Sequence, residues 1–106
     1  FDPSGVSGVI DWELAAFMPR AYELARAASF MFRLERERTR AFLASYREQR
    51  PLGDDELADG ARAWGTFADH HVWPVEEVYL HRNDAARRYI PHAQFRPFER
   101  AWADAL

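Results

Sequence analysis

The chain has 106 residues, 48% of them hydrophobic and 15% aromatic, which supports one packed core and argues against a disordered tail. A net charge of −3 gives no general attraction to nucleic acid or to an acidic membrane surface. The absence of cysteine excludes disulfides, thiolate metal sites and cysteine nucleophiles, and suits a cytoplasmic setting.

No apolar run approaches the ~18–20 residues that a bilayer span requires. The opening also lacks the basic segment and apolar run of a signal peptide. The 14 basic residues are all arginine, so any chemistry needing a lysine amine must find it elsewhere. Phe1 at the start, in place of Met, is what a segment of a longer protein would show.

In chain order, Asp2-Pro3-Ser4-Gly5 reads as a turn, in which Pro presets φ and Gly accepts a positive φ. Val6 to Trp12 reads as a short strand, with Phe1-Asp2 as the tail of its hairpin partner. The period then becomes helical. Leu24, Ala27, Ala28, Met31 and Leu34 share one face, and the narrow polar stripe Arg26, Ser29, Arg33 predicts a helix buried on most sides. Pro19 suits its entrance.

A second helix is predicted from about Glu37 to Gln49, with Phe42, Leu43 and Tyr46 inward and Pro51 and Gly53 ending it. A third begins near Asp54, where three acids suit the positive end of the helix dipole. Leu57, Ala61, Trp64, Ala68 and His71 form its apolar face. Gly60 and Gly65 are expected to weaken it by ~1 kcal/mol each relative to Ala. Pro74 punctuates, Val75, Val78 and Tyr79 restart a helical face, Asn83-Asp84 interrupts or recaps it, and Pro91 closes the stretch. A last helix runs from about Pro97, with Phe98, Trp102 and Leu106 four apart. The fold class is mainly α: an N-terminal β-hairpin remnant followed by about five helices.

Chemistry concentrates in Gly8-Val9-Ile10-Asp11-Trp12-Glu13. A carboxylate at a strand end is held rigidly at the rim of a sheet, which suits Mg²⁺, an ion that takes one or two carboxylates and keeps water and phosphate oxygens. On pattern alone, turn formation is the commoner reason for an Asp at such a place.

The run Phe1 to Glu13 resembles the hairpin that follows the catalytic loop in the aminoglycoside phosphotransferase and choline kinase superfamily of kinase-like small-molecule phosphotransferases. Ile10-Asp11-Trp12-Glu13 resembles that family's Ile-Asp-Trp/Phe-Glu motif, the counterpart of Asp-Phe-Gly in protein kinases. Ala21-Tyr22-Glu23-Leu24-Ala25 resembles the following Asp-Leu-Ala segment, with Glu23 where the family has Asp. Phe42 to Arg47 resembles a helix of homoserine-kinase-like members. The resemblance implies a kinase-like C-terminal lobe in which Asp11 binds the Mg²⁺ of Mg-ATP, the acceptor is a small-molecule hydroxyl, and residues 1–106 are a partial lobe. The catalytic His-Gly-Asp-x-x-x-x-Asn loop and the N-terminal lobe would lie upstream. The segment alone would then be inactive, and its open sheet edge could pair with another copy.

The remaining candidates have plainer readings. His70-His71, His81 and His92 do not match the spacing of helical zinc sites, and His71 reads as a core histidine. Trp64, Trp73, Tyr79, Phe98 and Trp102 read first as core. Trp64 and Trp73, with Glu76 and Glu77, are the weak candidates for an acceptor pocket, since the resemblance places that pocket among the C-terminal helices. Asp69 and Asp84 are the other acids available to a cationic substrate. The run Arg33 to Arg40, interleaved with Glu35 and Glu37, reads as a solvated face with local ion pairs. Two rivals stand beside the enzyme reading: a non-catalytic helical interaction domain, in which Asp11 only ends a strand, and a pseudo-kinase.

Overall fold

The computed structural model of the chain describes Gly5, Val6, Gly8, residues 16–90 and residues 94–106. Gly5 has a φ of 130°, the positive angle that the turn reading asks of it. The rest of the expected strand, Asp11 included, and His92 lie outside the described residues. What is described is mainly helical: α1 (Arg20–Phe32), α2 (Arg36–Gln49), α3 (Asp54–Asp69), α4 (Trp73–Tyr79), a 3-10 helix (Asp84–Tyr89) and α5 (Phe98–Ala105).

Each boundary has a local cause. Pro19 precedes α1 with extended φ/ψ and supplies the carbonyl that Tyr22 and Glu23 bond to. The helix stops short of Leu34 because Arg33 and Leu34 both turn left-handed, at φ 51° and 56°. The Leu34 N–H then bonds back to the Ala28 carbonyl, a Schellman-type closure. Glu35 caps α2: its carboxylate accepts from the Glu37 and Arg38 amides at 3.0 Å each, and these bonds hold its pKa below the usual glutamate range. Arg50 is extended before Pro51, as the residue preceding a proline prefers to be.

The core lies between α1 and α3 and is closed by α2 and α5. Ala21, Leu24, Ala25 and Ala28 face Leu57, Ala61 and Trp64, while Leu43, Phe98 and Trp102 complete the cluster. The glycines of α3 are contact points, which corrects their reading as weak spots. A Cβ on Gly60 would sit 2.4 Å from the Ala21 backbone carbon, and one on Gly65 would sit 2.7 Å from the Phe98 ring. Close approach of the helices offsets the intrinsic cost of glycine.

Two further expectations are corrected. α1 is buried on one face only: Phe30 and Met31 are each 69% exposed. The arginine-rich run is not simply a solvated face. Thr39 within it is fully buried, with no hydrogen-bond partner for its Oγ1 among the described residues. Arg36 Nε donates to the Asp104 carbonyl at 2.9 Å and Arg40 Nε donates to the Leu106 carbonyl, so these cations meet the negative end of α5. The one local ion pair in the run is loose, Arg38 to Glu35 at 3.7 Å.

A bidentate pair ties the start of α1 to the start of α3. Arg20 Nε lies 2.6 Å from Glu56 Oε1, and Arg20 Nη2 lies 2.7 Å from Oε2. The Arg20 hydrogen bond lowers the Glu56 pKa from the ordinary 4.5 and raises that of the guanidinium.

α4 and the 3-10 helix stand apart. They pack on each other, burying Pro74, Val78 and Ala86, and neither packs on α1, α2, α3 or α5. Among the described residues no helix is long and apolar enough to cross a membrane.

Three measurements check this packing. Gly60→Ala is expected to lower stability by ~1–3 kcal/mol in urea unfolding, the opposite of the gain helix propensity alone would give. Thr39→Val removes an unpaired buried hydroxyl and is expected to raise stability by ~1 kcal/mol. Because the Glu56 pKa is depressed on folding, its contribution is present above pH 4.5 and lost as pH falls through the lower folded value. The Tm difference between wild type and Glu56→Gln should therefore shrink on acidification.

Candidate functional site

Trp64 faces inward because it lies one helical turn beyond Gly60, on the face of α3 that meets α1. It is 5% exposed. Tyr22 meets it edge-on with centroids 5.5 Å apart, and Phe30 and Phe67 lean on it at 5.7 and 5.4 Å. Its Nε1 donates to Ser29 Oγ at 3.0 Å, and that hydroxyl donates in turn to the Ala25 carbonyl at 2.8 Å. With its ring enclosed and its N–H satisfied, Trp64 is a post of the core.

From Trp64 an aromatic track leads outward. Phe67 contacts His71 at 5.1 Å, His71 meets Trp73 at 6.3 Å, and Trp73 packs on Tyr89 at 5.5 Å. Trp73 is 38% and Tyr89 53% exposed. The structure thus links Trp64 to Trp73 through two intervening rings and does not bring them to one pocket. His71 is exposed, not a core residue as its spacing suggests, because α3 ends at Asp69 before the apolar face reaches it. Tyr79 is likewise on the surface, with the Arg87 guanidinium 5.8 Å from its ring centroid. Arg88 lies 4.9 Å over Tyr89.

The acids divide by partner. Glu76 is exposed. The Glu77 carboxylate accepts from His81 Nδ1 and from Asn83 Nδ2, both at 2.8 Å, and these two bonds, His81 first, hold its pKa below the usual glutamate range. Asp69 accepts from the Phe98 amide at 3.0 and 3.1 Å, so the last residue of α3 caps α5. Asp84 pairs with Arg87 at 2.9 Å, and Glu23 pairs with Arg26 at 2.8 Å. Sequence reasoning did not identify Ser29 or Asp69 in these roles. Ser29 is visible only as part of a polar stripe, and Pro97, a poor side-chain cap for α5, is the one hint that a carboxylate must come from elsewhere.

Among the described residues no group of three or more His, Asp or Glu side chains could hold a metal ion. A groove of about 650 Å³ runs along α2, lined by Arg40, Leu43, Ala44, Arg47, Glu48, Asp54 and Leu106. It contains none of Trp64, Trp73, Glu76 and Glu77. Its arginines are engaged: Arg47 Nη2 donates to Asp54 and Arg40 to the Leu106 carbonyl.

The described elements define a mainly helical fold in which Glu23, Asp69, Glu77 and Asp84 each have a local partner. The model of the phosphotransferase enzyme family matches residues 1–60, more than half of the chain, and the chain belongs to that family. The match takes in Asp11, α1 and α2 and ends at Gly60, the residue seated on Ala21. No curated protein and no solved structure matches the chain.

If Trp64 serves as a post, removing the acceptor of its N–H must cost stability. Ser29→Ala should destabilise the chain by ~1–3 kcal/mol in urea unfolding, and Trp64→Phe, which removes the donor too, should largely cancel the added effect of that change in a double-mutant cycle.

Proposed function

We propose that residues 1–106 form a partial C-terminal lobe of an ATP- and Mg²⁺-dependent phosphotransferase that moves the γ-phosphate to a hydroxyl of a small molecule in the cytoplasm. The family match over residues 1–60, which includes Ile10-Asp11-Trp12-Glu13, carries this reading. Asp11 is the residue that would hold the metal, since a lone carboxylate leaves Mg²⁺ the phosphate oxygens and waters it retains. When bound, the ion neutralises charge on the transferring phosphates, the main demand of phosphoryl transfer.

The described helices supply the support. α1 begins a few residues after the motif and is fixed by the Arg20–Glu56 pair and the Ala21–Gly60 contact, so the chain leaving Asp11 enters a rigid seam. The resemblance puts the catalytic loop and the N-terminal lobe on other segments, and on that ground residues 1–106 by themselves are proposed to be inactive.

In the intact enzyme, Asp11→Asn is expected to lower kcat by a factor on the order of 10²–10³ or more while leaving the thermal unfolding midpoint nearly unchanged. Unchanged turnover would overturn the assignment. Mg-ATP binding without turnover in the wild-type enzyme would identify a pseudo-kinase.

A further inference from the structure

The described residues contain one unit that the core does not hold. Among the described elements α4 and the 3-10 helix pack only on each other; His70, His71 and Val72, all exposed, join them to α3, and Ile90 leads on from them towards α5. The unit is closed at both ends. At its base, Trp73 at the start of α4 packs on Tyr89 at the end of the 3-10 helix, 5.5 Å between centroids. At its tip, the chain reverses through Arg82, which is left-handed at φ 57°.

Glu77 secures that reversal three times. Its carbonyl accepts from the Asn83 amide at 2.9 Å, and its carboxylate accepts from His81 and Asn83 side chains at 2.8 Å each. Asp84, also at the tip, pairs with Arg87. Between tip and base only Pro74, Val78 and Ala86 are buried.

We propose that residues 73–89 are a latched arm, which moves and opens as one cooperative unit on the His70–Val72 connection while the four-helix core stays folded, and that the Glu77 carboxylate is its latch. An element with few buried apolar contacts and its own closed hydrogen-bond set opens below the global unfolding free energy. Its movement carries Trp73 and Tyr89 as a pair, and it changes the angle of their exposed faces to His71 and Phe67 on the core side of the track.

Native-state hydrogen exchange on the 106-residue chain tests this. The amides of Leu80, His81, Asn83, Ala86 and Ile90 report the arm, since each has a defined acceptor within it. The Ala25, Ala28 and Ala61 amides report the core. The arm amides are expected to exchange together and at least ~10-fold faster than the core amides. In Glu77→Ala their exchange should rise a further ~10-fold, with the core rates unchanged. Asn83→Ala should move the same amides in the same direction. Exchange of arm and core in step in the wild type would overturn the proposal. So would a Glu77→Ala change that accelerates core and arm equally, or that prevents folding, because the core would then depend on the latch.

Discussion

The contact of Gly60 with the backbone of Ala21 sets the register of everything around it. Residues four apart in a helix share a face, so a glycine seated there also directs Glu56 and Trp64 at α1. Glu56 reaches Arg20, Gly60 meets Ala21, and Trp64 reaches Ser29 and Phe30, so the partners rise together along both helices. A side chain at position 60 would force the helices apart and disturb both flanking interactions. Gly65 repeats the device on an adjoining face, admitting the Phe98 ring and hence α5.

The helices were legible because they are written twice, in apolar period and in punctuation. Pro19, Pro51 with Gly53, Pro74 and Pro97 stand within a few residues of the observed boundaries. Which faces are buried was less legible, since periodicity shows that a face exists but not what covers it. Leu24 and Ala28 find α3, while Met31 on the same stripe finds nothing among the described residues. A Gly in a helix looks like a cost until the opposing backbone is known, and a Thr among arginines looks solvated until α2 is packed. The turn at Arg33 and Leu34 was unreadable for another reason: neither residue favours a left-handed backbone, and only the closure onto Ala28 explains it.

The candidate site was legible in a different currency. Asp11 stood out through a resemblance that the family match over residues 1–60 supports. The aromatic and acidic candidates further on were chosen by residue type, and type does not separate structural from functional use. Trp64 and Trp73 are the same side chain, yet one is locked by Ser29 and Tyr22 and the other packs on Tyr89 at the surface. Among the acids, Glu77, Asp69 and Asp84 each hold a local element in place, and of that set only Glu76 has no partner among the described hydrogen bonds and ion pairs. The first three would have to share or exchange their partners to meet a cationic substrate.

That division bears on which parts of the chain can vary independently. The part matched by the family ends in the seam between α1 and α3, and the part beyond it is attached through that seam: Trp64 by ring contacts, α5 by Gly65 and the Asp69 cap, the arm by a short exposed connection. Among the described residues, the side-chain route from the arm to α1 is the chain of rings from Tyr89 to Trp64, and every ring in it except Trp64 is exposed. Packed seams transmit strain, while ring contacts at a surface can slide. Sequence drift beyond Gly60 can therefore reshape the outer helices with little effect on α1.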